Sequence, residues 1–120
     1  MPLVDVRVQD SLIDPDSSDR TTALARDTKS AKPFYRVFLY LDGPGLPYVT
    51  GVTYVLHPTF KEQTRQVLRT PANPRCKLEM WTWGLFRVQA IVSDSEGGMV
   101  TLTHDLHYNR EFPLVKFEAA

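Results

Sequence analysis

The sequence predicts an all-β protein, built as two antiparallel sheets packed face to face from about seven or eight short strands. Three observations predict it. Apolar and polar residues alternate with period two in run after run, as in Val4-Asp5-Val6-Arg7-Val8 and Phe86-Arg87-Val88-Gln89-Ala90. Clusters of Gly, Pro and Asp punctuate those runs at close spacing. No stretch carries the apolar period of a long helix. An open barrel is the second arrangement compatible with the same pattern.

The elements follow in order. Leu3 to Val8 alternates, with Val4, Val6 and Val8 on one side, and reads as a half-buried strand. Asp10 to Lys32 is rich in Asp, Ser, Thr and Arg and reads as a polar linker, with one helical turn around Thr22 to Arg26. Loops that long are uncommon inside a compact domain. The chain therefore divides into an N-terminal strand over 1–9, a linker over 10–32 and a sandwich over 33–120.

Phe34 to Leu41 is aromatic and β-branched, as suits a central strand, and Asp42-Gly43-Pro44-Gly45 is a turn. Tyr48 to Leu56 is the next strand, with Gly51 marking a bulge or a close backbone approach. Pro58 ends it, because proline donates no ladder hydrogen bond. Lys61 to Gln66 is a polar connection, and Val67 to Thr70 a short strand. Cys76, Leu78 and Met80 alternate with Lys77 and Glu79, so Cys76 reads as a small core residue. Phe86 to Val92 and Val100 to His104 flank a hairpin turn at Asp94 to Gly98. Leu114 to Phe117 is the last strand.

Composition narrows the function. Lys plus Arg and Asp plus Glu are equal at 14 each, which argues against nonspecific nucleic-acid binding, since that requires a surplus of cations. The lone Cys76 cannot form an intrachain disulfide, and a reducing cytoplasm is the simplest setting. The start of the sequence shows no basic segment followed by an apolar one, and no run reaches membrane-helix length. No Gly-rich loop precedes a helix, so nothing suggests a phosphate cradle, and no cofactor is expected.

Two short motifs stand apart from this background. Leu56-His57-Pro58-Thr59-Phe60 and Trp81-Thr82-Trp83-Gly84-Leu85-Phe86 each place aromatic residues beside small polar ones where the chain should turn. Two aromatic loops at strand ends make a slot for a flat, uncharged ligand. The motifs also carry a resemblance. Val52-Thr53-Tyr54-Val55-Leu56-His57-Pro58-Thr59-Phe60 resembles the strand and loop of YEATS domains, V-x-Y-x-L-H-x-(S/T)-F. Arg65, Val67 and Pro71 are similar to the family's R-x-V…P stretch. Thr82-Trp83-Gly84-Leu85-Phe86 is similar to its G-W-G-x-F, and Tyr35 to Gly43 fits its preceding strand more loosely. The likeness runs from Tyr35 to Val92 and points to the prokaryotic branch.

The resemblance implies an immunoglobulin-like sandwich and a reader of acylated lysine. It implies that Phe60 and Trp83 face each other across a slot, where a planar amide lies between two π faces. It gives the Thr59 hydroxyl and the Trp83 backbone N–H to the ligand amide. It gives His57 to the loop and one wall, and Phe86 to the base; Gly84 completes the ligand-binding set. Thr82 stands where the family has glycine, which threonine replaces poorly if the backbone needs a positive φ.

Each motif also has a plainer reading. His57 caps a strand as readily as it lines a slot, Phe60 and Phe86 suit a core, and Thr59 suits a turn. His104, Asp105 and His107 do not have zinc-motif spacing, and on a continuous strand 104 and 107 would point to opposite faces, so no metal is expected. Asp14 to Asp19 reads as solvated. The expectation is a non-catalytic module that binds an acylated peptide or protein, without nucleic acid or membrane as partner. The alternative is a bacterial signalling or protein-interaction module with a closed slot, binding through loops or a sheet edge. A hydrolase using His57 or the His104 region would need a nucleophile or metal that no spacing supplies.

Overall fold

A computed structural model describes residues 5–16, 22–26, 34–82, 85–107 and 114–118. The chain forms a two-sheet β-sandwich. Its strands are β1 (Arg7–Ser11), β2 (Thr22–Arg26), β3 (Phe34–Asp42), β4 (Val49–Val55), β5 (Thr64–Leu68), β6 (Leu78–Thr82), β7 (Arg87–Asp94), β8 (Met99–Asp105) and β9 (Leu114–Glu118). A single 3-10 turn at Leu46–Tyr48 precedes β4. No helix among the described residues is long and apolar enough to cross a membrane.

The first sheet is organised around β3. It pairs antiparallel with β1, β2 and β6, and β2 in turn pairs parallel with β9. The second sheet runs β5-β4-β7-β8, antiparallel throughout. The core lies between the sheets. Val37, Leu39 and Leu41 face inward from β3, Val52 and Tyr54 from β4, and Val88, Ala90 and Val92 from β7, all essentially inaccessible to water. This is the period-two pattern turned into burial, each large apolar side chain contributing roughly 1.5–3 kcal/mol.

The structure departs from the sequence reading in several places. Residues 22–26, read as a helical turn within a linker, are a strand held by backbone pairing to β3 and β9. The first strand begins at Arg7, with Val6 and Val8 buried and Arg7 exposed, and extends through Asp10 and Ser11; Leu3 and Val4 lie outside the described residues. β5 spans Thr64–Leu68, taking in half of the expected polar connection. Cys76 lies in the turn before β6, not on a strand, with φ 52°.

Gly51 does mark a bulge. The β4–β7 register slips between Val49 and Gly51, so that Val49 and Val52 are both buried although three residues apart. A Cβ on Gly51 would lie 3.1 Å from the Val67 carbonyl oxygen of β5. The opposite face of β3 is covered by the chain after β1. Phe38 is buried there beneath the Arg36 guanidinium, 4.8 Å from its ring centre, and the Lys77 ammonium, 5.7 Å away. Lys77 also donates to Asp14 (2.8 Å) and Asp16 (2.9 Å). Asp14 and Asp16, read as solvated, thus pin the segment after β1 onto this face.

Candidate functional site

The sheet register brings the Leu56–Phe60 loop and Phe86 to one end of the sandwich. Val55, the last residue of β4, pairs with Gln89 near the start of β7. The loop leaving β4 and the connection entering β7 therefore emerge side by side. The first loop is closed at its neck, where the Leu56 N–H donates to the Gln63 carbonyl (2.7 Å). Inside it, His57-Pro58-Thr59-Phe60 is a tight turn, the Phe60 N–H donating to the His57 carbonyl (3.0 Å). Proline at the second position presets the φ that such a turn requires.

His57 organises this turn through its side chain. Its Nδ1 accepts from the Thr59 backbone N–H (3.2 Å) and lies 2.8 Å from the Thr59 Oγ1. A nitrogen that accepts from an amide carries no proton, so the Thr59 hydroxyl must donate to it. The lone pairs of Oγ1 are then directed away from the ring, and Thr59 is exposed. The turn thus presents an oriented hydrogen-bond acceptor at the surface.

The aromatic residues meet beneath it. The Phe60 and Phe86 rings are 5.5 Å apart at 54°, and the His57 ring meets Phe86 edge-on at 5.8 Å. Phe60 and Phe86 are half-buried and pack against the core, so the plainer reading and the ligand-facing one share the same residues. Phe86 is fixed from behind, its carbonyl accepting from the Leu106 N–H (3.1 Å). Beside it lies a shallow depression lined by Leu85, Phe86, Arg87, Asp105 and Leu106. The structure thus gathers His57, Thr59, Phe60 and Phe86; Trp83 and Gly84 lie outside the described residues. Thr82 is fully buried on β6 opposite Tyr35, without a positive φ, so threonine in place of glycine brings no backbone strain.

The profile of the prokaryotic YEATS domain family matches residues 35–107. The chain belongs to the prokaryotic YEATS family. A curated relative is the transcription initiation factor TFIID subunit 14 of Schizosaccharomyces pombe, 34% identical over 65 residues. That match takes in 53% of this chain and 25% of the relative, so the chain spans about a quarter of that protein's length. Among solved structures, the Yaf9 YEATS domain recognizing a succinylated histone H3 peptide aligns with a TM-score of 0.54 at 19% identity, covering 72% of this chain and 68% of that one. Another structure of the Yaf9 YEATS domain aligns at 0.51 and 13% identity, covering 92% and 80%. At these identities the likeness is one of fold, and it agrees with the immunoglobulin-like sandwich expected for this YEATS chain.

A second cluster escaped the sequence reading. β8 ends at Asp105, so the strand alternation that would separate His104 from His107 stops between them, and both imidazoles converge on Asp10. A signal for Asp10 existed. Continuing the alternation Val6, Val8 by two residues reaches Asp10 and then Leu12, which places a carboxylate on the core-facing side of β1.

Proposed function

We infer that this chain is a non-catalytic reader of acylated lysine on a peptide or protein, gripping a planar, uncharged side-chain amide at the His57 and Trp83 loops. The observation that carries the reading is the His57-Thr59 arrangement, which fixes the proton of the Thr59 hydroxyl inward and leaves its oxygen able to accept an amide N–H. Phe60 supplies one aromatic face, with Phe86 beneath. Trp83 supplies the opposing face, and its backbone N–H satisfies the acyl oxygen. Each ligand hydrogen bond left unmet would cost roughly 1–3 kcal/mol, and each buried acyl carbon contributes roughly 0.8 kcal/mol. A charged lysine would lose hydration without those bonds. The Yaf9 YEATS domain aligned above that recognizes a succinylated histone H3 peptide, and a further Yaf9 YEATS structure bound to an acetylated one (TM-score 0.50, 13% identity), support the ligand class.

The test is calorimetric titration with peptides bearing one acetyl-, crotonyl- or succinyl-lysine, each beside its unmodified twin. An acylated peptide is expected to bind at least about tenfold more tightly than its twin, a difference of about 1.4 kcal/mol. Trp83→Ala should abolish that preference, and Thr59→Val, which keeps the shape but not the hydroxyl, should weaken it. Equal weak binding of every pair would remove the reader assignment. The contact between the Phe60 and Phe86 rings favours a second reading, an interaction module whose aromatic loops pack on themselves and whose partner docks on loops or a sheet edge. That module would bind no peptide of the panel.

A further inference from the structure

At one edge of the sandwich the two sheets meet around a carboxylate. Asp10, on β1 of the first sheet, has a side chain wholly shielded from water. His104, on β8 of the second sheet, places its Nε2 2.5 Å from the Asp10 Oδ1. The His107 Nε2 is 3.3 Å from the same oxygen, while the His107 backbone N–H donates to Oδ2 at 3.1 Å. The imidazole rings meet edge-on, 5.3 Å between centres. One donor atom from each residue lies within 4.8 Å of the others, and no second such convergence of His, Cys, Asp or Glu occurs among the described residues.

We propose that Asp10, His104 and His107 form a site for a late first-row divalent cation of the zinc class. The donor set is two imidazoles and one carboxylate, the combination such ions prefer over Mg²⁺ or Ca²⁺, which favour oxygen alone. Its charge also fits. One carboxylate and two imidazole nitrogens would give a dication a single negative charge at a buried position, as N/O sites for such ions do. Bond lengths of about 2.0–2.1 Å in a tetrahedral site put donor atoms about 3.3 Å apart. The Asp10–His107 separation already has that value, and the His104 ring needs to withdraw from Asp10 by about 0.8 Å. The bond from the His107 N–H to Oδ2 orients the carboxylate from outside the donor set.

The site is also accessible. The His107 side chain keeps about a third of its surface (36%) in water, against 14% for His104, so an ion can enter from that side and a water can fill the fourth position. Occupancy would tie β1 to β8 across the sheets. It would also fix the segment whose Leu106 N–H holds Phe86, which links the metal to the aromatic loops. The proposal does not depend on what those loops bind. The competing arrangement is an imidazolium–carboxylate pair with no ion.

The experiment is titration of the full chain with ZnCl₂ after treatment with chelator, read by calorimetry and by thermal unfolding. One equivalent is expected to bind and to raise Tm, because an ion that binds only the folded chain stabilises it. His107→Ala, at the accessible side, should fold, lose at least about tenfold in zinc affinity and lose the Tm gain. His104→Gln should do the same, and Asp10→Asn, which keeps the shape of the buried side chain, is a further variant. His57→Ala, at the other histidine of the chain, should bind zinc as the parent does. Absence of a zinc-dependent Tm shift in the parent chain would overturn the site, as would undiminished affinity in His107→Ala and His104→Gln, or loss of binding in His57→Ala.

Discussion

Cys76 illustrates how one residue's backbone can be set by its neighbours. It occupies the left-handed region at φ 52°, a conformation costing a non-glycine residue of order 1–2 kcal/mol. Two contacts hold it there. The Asn73 side chain clamps the Lys77 backbone, accepting its N–H (2.8 Å) and donating to its carbonyl (3.0 Å). From the core, the Tyr54 hydroxyl donates to the Cys76 carbonyl at 2.8 Å. Burial pushes the Cys76 thiol up to about 11 and the Tyr54 hydroxyl well above its ordinary range, so both stay protonated. Tyr54→Phe leaves a buried carbonyl without this donor and should destabilise the fold by about 1–2 kcal/mol in denaturant titration; unchanged stability would show that the bond is dispensable. The burial of Cys76 was legible from its alternation with Leu78 and Met80. Its left-handed backbone was not, because the cause is a side-chain clamp spanning four residues and a tyrosine more than twenty residues earlier in the chain.

At the scale of elements, turns and bulges decide the register. Gly43, after β3, has φ 133°, and a Cβ there would lie 2.6 Å from the Asp5 carbonyl oxygen. That oxygen already accepts the Gly45 N–H (2.9 Å), so the turn is locked to the chain entering β1. Gly43→Ala combines an unfavourable φ with a backbone clash and should cost more than about 1 kcal/mol, measured as a fall in the denaturant midpoint; a neutral substitution would mean the turn can rearrange freely. The Gly-Pro-Gly signal made this turn readable, as did the Asp94 hairpin, where the Asp94 carboxylate accepts from the Glu96 and Gly98 N–H groups (both 2.8 Å). β2 was not readable. Thr22-Ala23-Leu24-Ala25-Arg26 lacks the alternation of a half-buried strand, and its place comes from backbone bonds to β3 and β9, which no local pattern encodes.

The whole molecule places chemistry where its sheets end. The His57 motif was legible because a strand, a proline and an aromatic residue fall within a few positions. Its meeting with Phe86 needed the β4–β7 register, which the sequence implies only once the strands are paired. The Asp10–His104–His107 cluster lay further out of reach, since it joins strands separated by more than ninety residues and turns on where β8 stops. The family match over residues 35–107 takes in the whole second sheet with β6 and nearly all of β3, and the reader assignment rests on the end of the sandwich that carries the His57 loop and Phe86. It is tested most directly by mapping backbone amide shifts of the labelled chain during titration with an acyl-lysine peptide and its unmodified twin. The account predicts saturable shifts confined to residues 57–60 and 82–86 with the acylated peptide alone. Shifts along the β5 edge, or the same shifts with both peptides, would contradict it.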